Sequence, residues 1–173
     1  MPHAISVKCL NDTASSIVKL WDEASAFEDA ASMKELNYPP HLTLAIFPDN
    51  PGRVSNTLEN TLAFQPKLSV PFQEIGYFEN DFLVLWARPR LEAALRNLHK
   101  KLHRNFDPAI CHEHYRVDRW VPHCSLATKV PMSRAKAAIA WAKQKRPEFS
   151  VEFDAVDVVR FPPVVVEREY RLR

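Results

Sequence analysis

Apolar positions along this chain alternate between strand-like and helix-like spacing. Residues 3–10 alternate loosely and predict a first strand. Asn11, Asp12 and Thr13 offer helix caps. Ile17, Leu20, Trp21, Ala24 and Phe27 recur on one helical face, which predicts a helix over about 13–36, ended by Pro39 and Pro40. A strand is expected over 41–47, a turn at Pro48 to Pro51, and a helix over about 51–64 with Val54, Leu58 and Leu62 inward. The spacing then predicts a strand over 67–79, a hairpin turn at Asn80 and Asp81, and a strand over 82–87.

The order then recurs. Arg88-Pro89 is expected to open a helix carrying Leu91, Leu95, Leu98 and Leu102 at helical spacing. A loop over about 106–121 leads to a strand over 123–129. Ser133 is expected to cap a helix containing Ala137, Ile139 and Trp141, followed by strands over 149–161 and 164–172 around Pro162-Pro163. Leu68-Ser69-Val70-Pro71-Phe72 resembles Phe149-Ser150-Val151-Glu152-Phe153 at an offset of 81 residues. Strand–helix–strand–helix–strand therefore occurs twice, at about 3–79 and 82–161, which predicts two similar lobes rather than a solenoid. No linker-like segment interrupts the chain, so residues 1–173 are expected to form one two-lobed domain.

Each half contains the same phrase. Pro40-His41-Leu42-Thr43-Leu44-Ala45 matches Pro122-His123-Cys124-Ser125-Leu126-Ala127 at four of six positions, with the histidines 82 residues apart. In a strand, alternate residues share a face. His41 and Thr43 then point one way, opposite Leu42, Leu44 and Ile46, and His123 and Ser125 share a face opposite Cys124 and Leu126. Imidazole titrates near neutral pH, so one histidine can act as base while the other acts as acid. Phosphodiester hydrolysis needs that division of labour, with hydroxyls to hold the non-bridging oxygens. No metal and no cofactor is required.

These paired H-x-[ST] segments resemble the signature of the 2H phosphoesterase superfamily, which includes the 2′-5′ RNA ligase-like proteins and cyclic phosphodiesterases. The resemblance implies an α+β fold of two pseudo-symmetric lobes, each an antiparallel sheet with outer helices, around a central cleft. It implies His41 and His123 as the catalytic pair and Thr43 and Ser125 as phosphate ligands. Proteins of that family often carry a basic residue five positions past the second histidine; this chain has Thr128 there and Lys129 next. By strand parity Lys129 shares the face of Ser125 and Phe47 that of Thr43, a cation for phosphate and an aromatic for a base. The 106–121 loop is expected to border the cleft, with Tyr115, Arg116 and Trp120 contacting base or ribose.

Composition narrows the alternatives. The only glycines are Gly52 and Gly76, which excludes a P-loop or a dinucleotide fingerprint and leaves phosphate recognition to side chains. A net charge of +2 suits a nucleotide or short RNA and does not demand a large nucleic-acid surface. Cys9, Cys111 and Cys124 are too few and too scattered for a disulfide framework. Cys111-His112-Glu113-His114 is too tightly spaced for a tetrahedral zinc site from one segment. No signal-like or membrane-spanning segment is evident, so the expected address is cytoplasmic, with no membrane, no protein partner implied and a monomeric state. The expected activity is a metal-independent phosphodiesterase acting on 2′,3′-cyclic phosphate or 2′-5′ linkages. The alternatives are a nucleotide or RNA-end binding module without turnover, and a histidine-based metallohydrolase.

Overall fold

The computed structural model describes residues 1–173, apart from the side chains at positions 53, 55 and 56. Eight strands form two four-stranded sheets, every pairing antiparallel. The first sheet has the order β2-β1-β7-β8, from β1 (His3–Lys8), β2 (His41–Phe47), β7 (Ala155–Arg160) and β8 (Val165–Arg171). The second has the order β5-β4-β3-β6, from β3 (Leu68–Glu79), β4 (Leu83–Pro89), β5 (Cys124–Val130) and β6 (Phe149–Phe153). Five helices accompany them: α1 (Ser15–Ala24), α2 (Ser32–Glu35), α3 (Gly52–Leu62), α4 (Ala93–His103) and α5 (Ala135–Ala142). The fold is α+β with two lobes.

The sheets do not coincide with the two halves of the sequence. β3 hydrogen-bonds to β4 and β6, while β7 and β8, from the end of the chain, complete the first sheet. The similar segments 68–72 and 149–153 are direct neighbours, with Leu68 opposite Phe153 and Phe72 opposite Phe149. The exchange threads each half through both lobes, and one continuous core spans the two sheets.

Several expected elements break where a polar side chain intervenes. The helix expected over 13–36 becomes α1, a 3-10 turn at Ser25–Phe27 and the short α2. Glu28 lies in the gap, and its buried carboxylate accepts from the Ser32 backbone N–H at 3.0 Å and the Ser32 hydroxyl at 2.7 Å. The strand expected over 149–161 divides at Asp154, and β6 and β7 enter different sheets. Asp154 turns the chain by accepting from Leu10 N–H through its carboxylate at 2.8 Å and donating its own N–H to Lys8 O at 3.1 Å. Arg88 and Pro89 finish β4 rather than opening a helix, and α4 starts at Ala93, which leaves Leu91 exposed while Leu95, Leu98 and Leu102 are buried. Ser133 sits inside a 3-10 turn and does not cap α5, whose buried face is Ala135, Ala138 and Ala142; Ala137 is exposed.

Gly76 of β3 has a packing reason. A Cβ there would meet the Trp86 ring of β4 at 2.4 Å, inside any allowed contact. The glycine lets the indole lie flat across the strand, stacked on Phe78 with ring centres 5.0 Å apart.

Candidate active site

The two motif strands are the outer strands of their sheets, β2 in the first and β5 in the second. An edge strand presents unpaired backbone groups that must find partners. On β2, Thr43 O accepts from the Trp120 indole N–H at 2.9 Å, Leu44 O from His103 Nε2 at 3.0 Å, and Ile46 O from the His112 backbone N–H at 2.8 Å. On β5, Ser125 O accepts from the Trp21 indole N–H at 2.9 Å, and the N–H groups of Thr128 and Lys129 donate to Glu28 at 2.9 and 2.7 Å. Each motif is therefore tied by an indole from the other half of the sequence.

The edges of β2 and β5 pack against each other. Cys124, inside the second motif, places its buried sulfur against the backbone N–H of His41, inside the first. Burial pushes that thiol up to about 12, which removes it as a nucleophile at neutral pH. Both imidazoles are anchored in the same way. His41 Nδ1 donates to Pro39 O at 2.9 Å and His123 Nδ1 donates to Val121 O at 2.7 Å, each two residues upstream. A proton held on Nδ1 leaves Nε2 as the free nitrogen of the neutral ring.

The two rings have different surroundings. Burial lowers the His41 pKa to about 4; the bond to Pro39 O opposes this and the charge of His123 adds to it. The charge of His123 thus disfavours protonation of His41, as a like charge nearby does. Burial also lowers the His123 pKa, against the opposing bond to Val121 O. The Tyr38 ring meets His41 edge-on at 4.8 Å between centres. The Tyr38 hydroxyl donates to buried Asp157 at 3.0 Å, and Lys8 bridges Asp157 and Glu169 at 2.5 and 2.6 Å. His123 instead meets the edges of Phe78 and Trp86, at 5.4 and 6.0 Å between centres.

Thr43 and Ser125 are half-buried on the faces of the histidines. Thr43 Oγ1 lies 3.4 Å from Ser6 Oγ, and Ser125 sits opposite Trp86 in the ladder. The parity that placed Phe47 and Lys129 beside them fails. The β1–β2 register slips at Ile5/Ser6, so that Leu44 is passed over and both Ala45 and Phe47 turn to the core. Phe47 is buried against Phe106, and half-buried Ile46 faces the cleft instead. The β4–β5 register slips twice in the corresponding stretch, and Lys129 is an exposed residue inside the second shift, between Ala127 and Val130. The same ladder brings out cations that sequence parity alone does not identify. Lys8 is opposite His41, and the next step of the β4–β5 register brings Arg88 alongside His123. Lys8 is buried and ion-paired; Arg88 is exposed, 3.2 Å from Glu74, with its guanidinium 5.3 Å from the Trp86 ring.

A cavity of about 510 Å3 opens beside His123, walled by Phe78, Asn80, Tyr115, Arg119 and Ile46. The 106–121 segment borders this cavity beside His123, through Tyr115 and Arg119. Arg116 turns away, with Nε donating to Cys111 O at 3.2 Å. Trp120 is committed to Thr43 O and to a parallel stack on His99, 3.9 Å between centres, and is a structural strut rather than a base contact. Phe78 and Arg119 have no motif to mark them; Phe78 could be found only from its shared strand face with Gly76. His112 and His114 line the cavity, yet among the described residues no group of three His, Cys, Asp or Glu side chains converges at metal-binding distance. No helix among the described residues is long and apolar enough to cross a membrane.

The sequence profile described as 2′-5′ RNA ligase superfamily matches residues 13–162. No curated protein matches the chain. Among solved structures, TT0787 of Thermus thermophilus is similar at a TM-score of 0.62 and 17% identity, covering 100% of this chain and 98% of that one. E. coli LigT complexed with 3′-AMP gives 0.62 and 13% identity, covering 99% of each chain. A protein described as a phosphoesterase gives 0.64 and 15% identity, covering 98% of this chain and 97% of that one. E. coli LigT is also similar in its complexes with phosphate and with ATP. At these identities the likeness is one of fold.

Proposed function

We propose that this chain, which belongs to the 2′-5′ RNA ligase superfamily, is a metal-independent phosphodiesterase acting on 2′,3′-cyclic phosphate or 2′-5′ phosphodiester bonds of RNA or nucleotides. The observation that carries this reading is the matched anchoring of His41 and His123. Both hold a proton on Nδ1 against a carbonyl two residues upstream, which leaves Nε2 of each neutral ring free to exchange a proton, and the charge of His123 acts on His41.

In the proposed reaction the more deeply perturbed imidazole, His41, is the base. Its Nε2 takes a proton from water as the oxygen attacks phosphorus. His123, protonated at Nε2, gives its proton to the departing ribose oxygen, and the phosphorus–oxygen bond breaks. The pair ends one proton transfer away from its starting state, and exchange with solvent resets it. Each such transfer is worth about 10²–10⁴-fold in rate. The hydroxyls of Thr43 and Ser125 donate to the non-bridging oxygens as charge develops. Arg88, the accessible cation next to His123, takes the phosphate role that parity assigned to Lys129. The cavity beside His123 has an aromatic wall and a cation, Phe78, Tyr115 and Arg119, which suits a nucleoside. That E. coli LigT is known in complexes with 3′-AMP, ATP and phosphate supports a nucleotide ligand for the shared fold.

The test is turnover of a 2′,3′-cyclic nucleotide by wild type, His41→Ala and His123→Ala in the presence of EDTA. The wild type should turn over, and each variant should lose at least about 10²-fold. Full turnover by either variant rules out an acid–base role for the histidine it lacks. Binding by the wild type without turnover makes the protein a nucleotide or RNA-end binding module.

A further inference from the structure

We infer that the cavity between the end of α4 and the loop leading to the second motif binds backbone phosphates of an oligonucleotide, so that the preferred substrate is an RNA chain end rather than a mononucleotide. The inference rests on the phosphodiesterase reading for the chemistry, and on separate residues for the binding.

Between Glu92 and Asp107 the chain has no acidic residue, yet it carries Arg96, Lys100, Lys101 and Arg104. The whole protein has a net charge of only +2, so this is a local concentration of positive charge. Lys100 and Arg104 lie four residues apart at the end of α4, a spacing at which like charges repel on a helix. The helix dipole favours cations in the last turn, but it does not account for a third cation converging from another segment. Arg116 does converge there. Its Nε bond to Cys111 O aims the guanidinium, and with Lys100 and Arg104 it lines a cavity of about 330 Å3. Asp118 is the one carboxylate in that lining. Among the described residues neither Lys100 nor Arg104 forms an ion pair. Three cations gathered around one carboxylate leave an excess of positive charge, which an anion of matching spacing relieves, and phosphates along a nucleic-acid strand supply one.

Position ties this cavity to the reaction site. Tyr115 and Arg119 wall the cleft at His123, while Arg116, Val117 and Asp118, between them in sequence, wall the basic cavity. One short loop thus separates the two spaces. The basic cavity also includes His103, whose Nε2 bonds the carbonyl of Leu44, the residue after Thr43. A strand whose terminal nucleoside occupies the cleft at His123 can pass over this loop and lay its preceding phosphates among Lys100, Arg104 and Arg116. A mononucleotide in the cleft has no preceding phosphates to place there.

The experiment compares wild type with the exposed double variant Lys100→Gln/Arg104→Gln. The substrates are a nucleoside 2′,3′-cyclic phosphate and a short oligoribonucleotide ending in one. The double variant should raise KM for the oligonucleotide about tenfold and leave kcat/KM for the mononucleotide unchanged. Its salt dependence with the oligonucleotide should flatten by about 1.4 in log–log slope, the share of two phosphate contacts on a single strand. Unchanged oligonucleotide KM and salt slope overturn the inference, and so does an equal loss on both substrates. Fluorescence anisotropy with the labelled oligonucleotide gives a readout that needs no turnover. Binding that weakens in the variant supports the subsite even if no substrate is hydrolysed, a result that overturns the phosphodiesterase reading alone.

Discussion

Replacing Glu28 tests how the second motif strand is held. The carboxylate is 7% exposed and accepts four hydrogen bonds, from the Ser32 N–H and hydroxyl and from the N–H groups of Thr128 and Lys129, at 2.7–3.0 Å. Two of those donors belong to the outer edge of β5, a few residues past Ser125. In Glu28→Gln the amide NH2 faces one of these donors, which removes one bond and reduces the rest from charged to neutral. A bond to a charged group is worth about 1.5–3 kcal/mol and a neutral one about 0.5–1.5. The expected cost is therefore about 2–4 kcal/mol. Glu28→Ala leaves the Lys129 N–H unpaired and the Thr128 N–H with only the Ser32 hydroxyl, at 2.9 Å, and should cost about 3–5 kcal/mol, the range for breaking a buried charge network. For a chain of this length 1 kcal/mol moves Tm by about 2–4 °C, so Glu28→Gln should melt roughly 4–16 °C lower. Urea unfolding measures the free energy, and hydrogen exchange at the Thr128 and Lys129 amides measures the edge directly. Both amides should lose protection before the core does. A Glu28→Gln protein within about 0.5 kcal/mol of wild type, the range of ordinary surface changes, with both amides still protected, refutes the reasoning.

Trp120→Phe keeps a ring to stack on His99 but leaves Thr43 O without its indole donor; it should cost about 1–2 kcal/mol by thermal unfolding and lower kcat more than it raises KM, because Thr43 is displaced in a site that stays open. Acid should unfold the protein early: His41 and His99 are held at about 4, below the free imidazole at 6.5, so the unfolded chain takes up their protons first. Their stabilisation is complete above pH 6.5 and is lost as pH falls from 6.5 to about 4, at most about 3 kcal/mol for buried His99 and less for half-buried His41. Urea midpoints between pH 7 and 4 check this, and His99→Gln should flatten the dependence; a midpoint constant over that range contradicts it.

The local elements and the histidine pair were legible in the sequence because each has a short-range signature. Alternation over 41–47 placed β2 as found, and the repeated phrase marked His41 and His123. What was not legible arises from non-local partners. A helix pattern over 13–36 contains no sign that Glu28 will leave it to cap the edge of β5, about 100 residues away. The apolar run over 149–161 cannot reveal that Asp154 passes the chain between sheets. Strand parity misplaced Phe47 and Lys129 because a register shift changes which face every later residue takes. Trp21 reads as a core aromatic and Trp120 as a base or ribose contact, while their indole N–H groups hold the motif strands. Arg88 and Lys8 become neighbours of the histidines only once the ladders are known.

The central claim is that His41 and His123 act as a base and acid pair, and kcat/KM against pH on a 2′,3′-cyclic nucleotide tests it most directly, since that ratio reports the free enzyme. His41 at about 4 must be neutral and His123, also lowered from 6.5, must be protonated. The expected profile is a bell whose maximum lies on the acid side of pH 6.5, with its limbs belonging to the coupled pair and its shape unchanged by EDTA. Activity that climbs to an alkaline plateau and vanishes with EDTA, the behaviour of a metal-bound hydroxide, would contradict it.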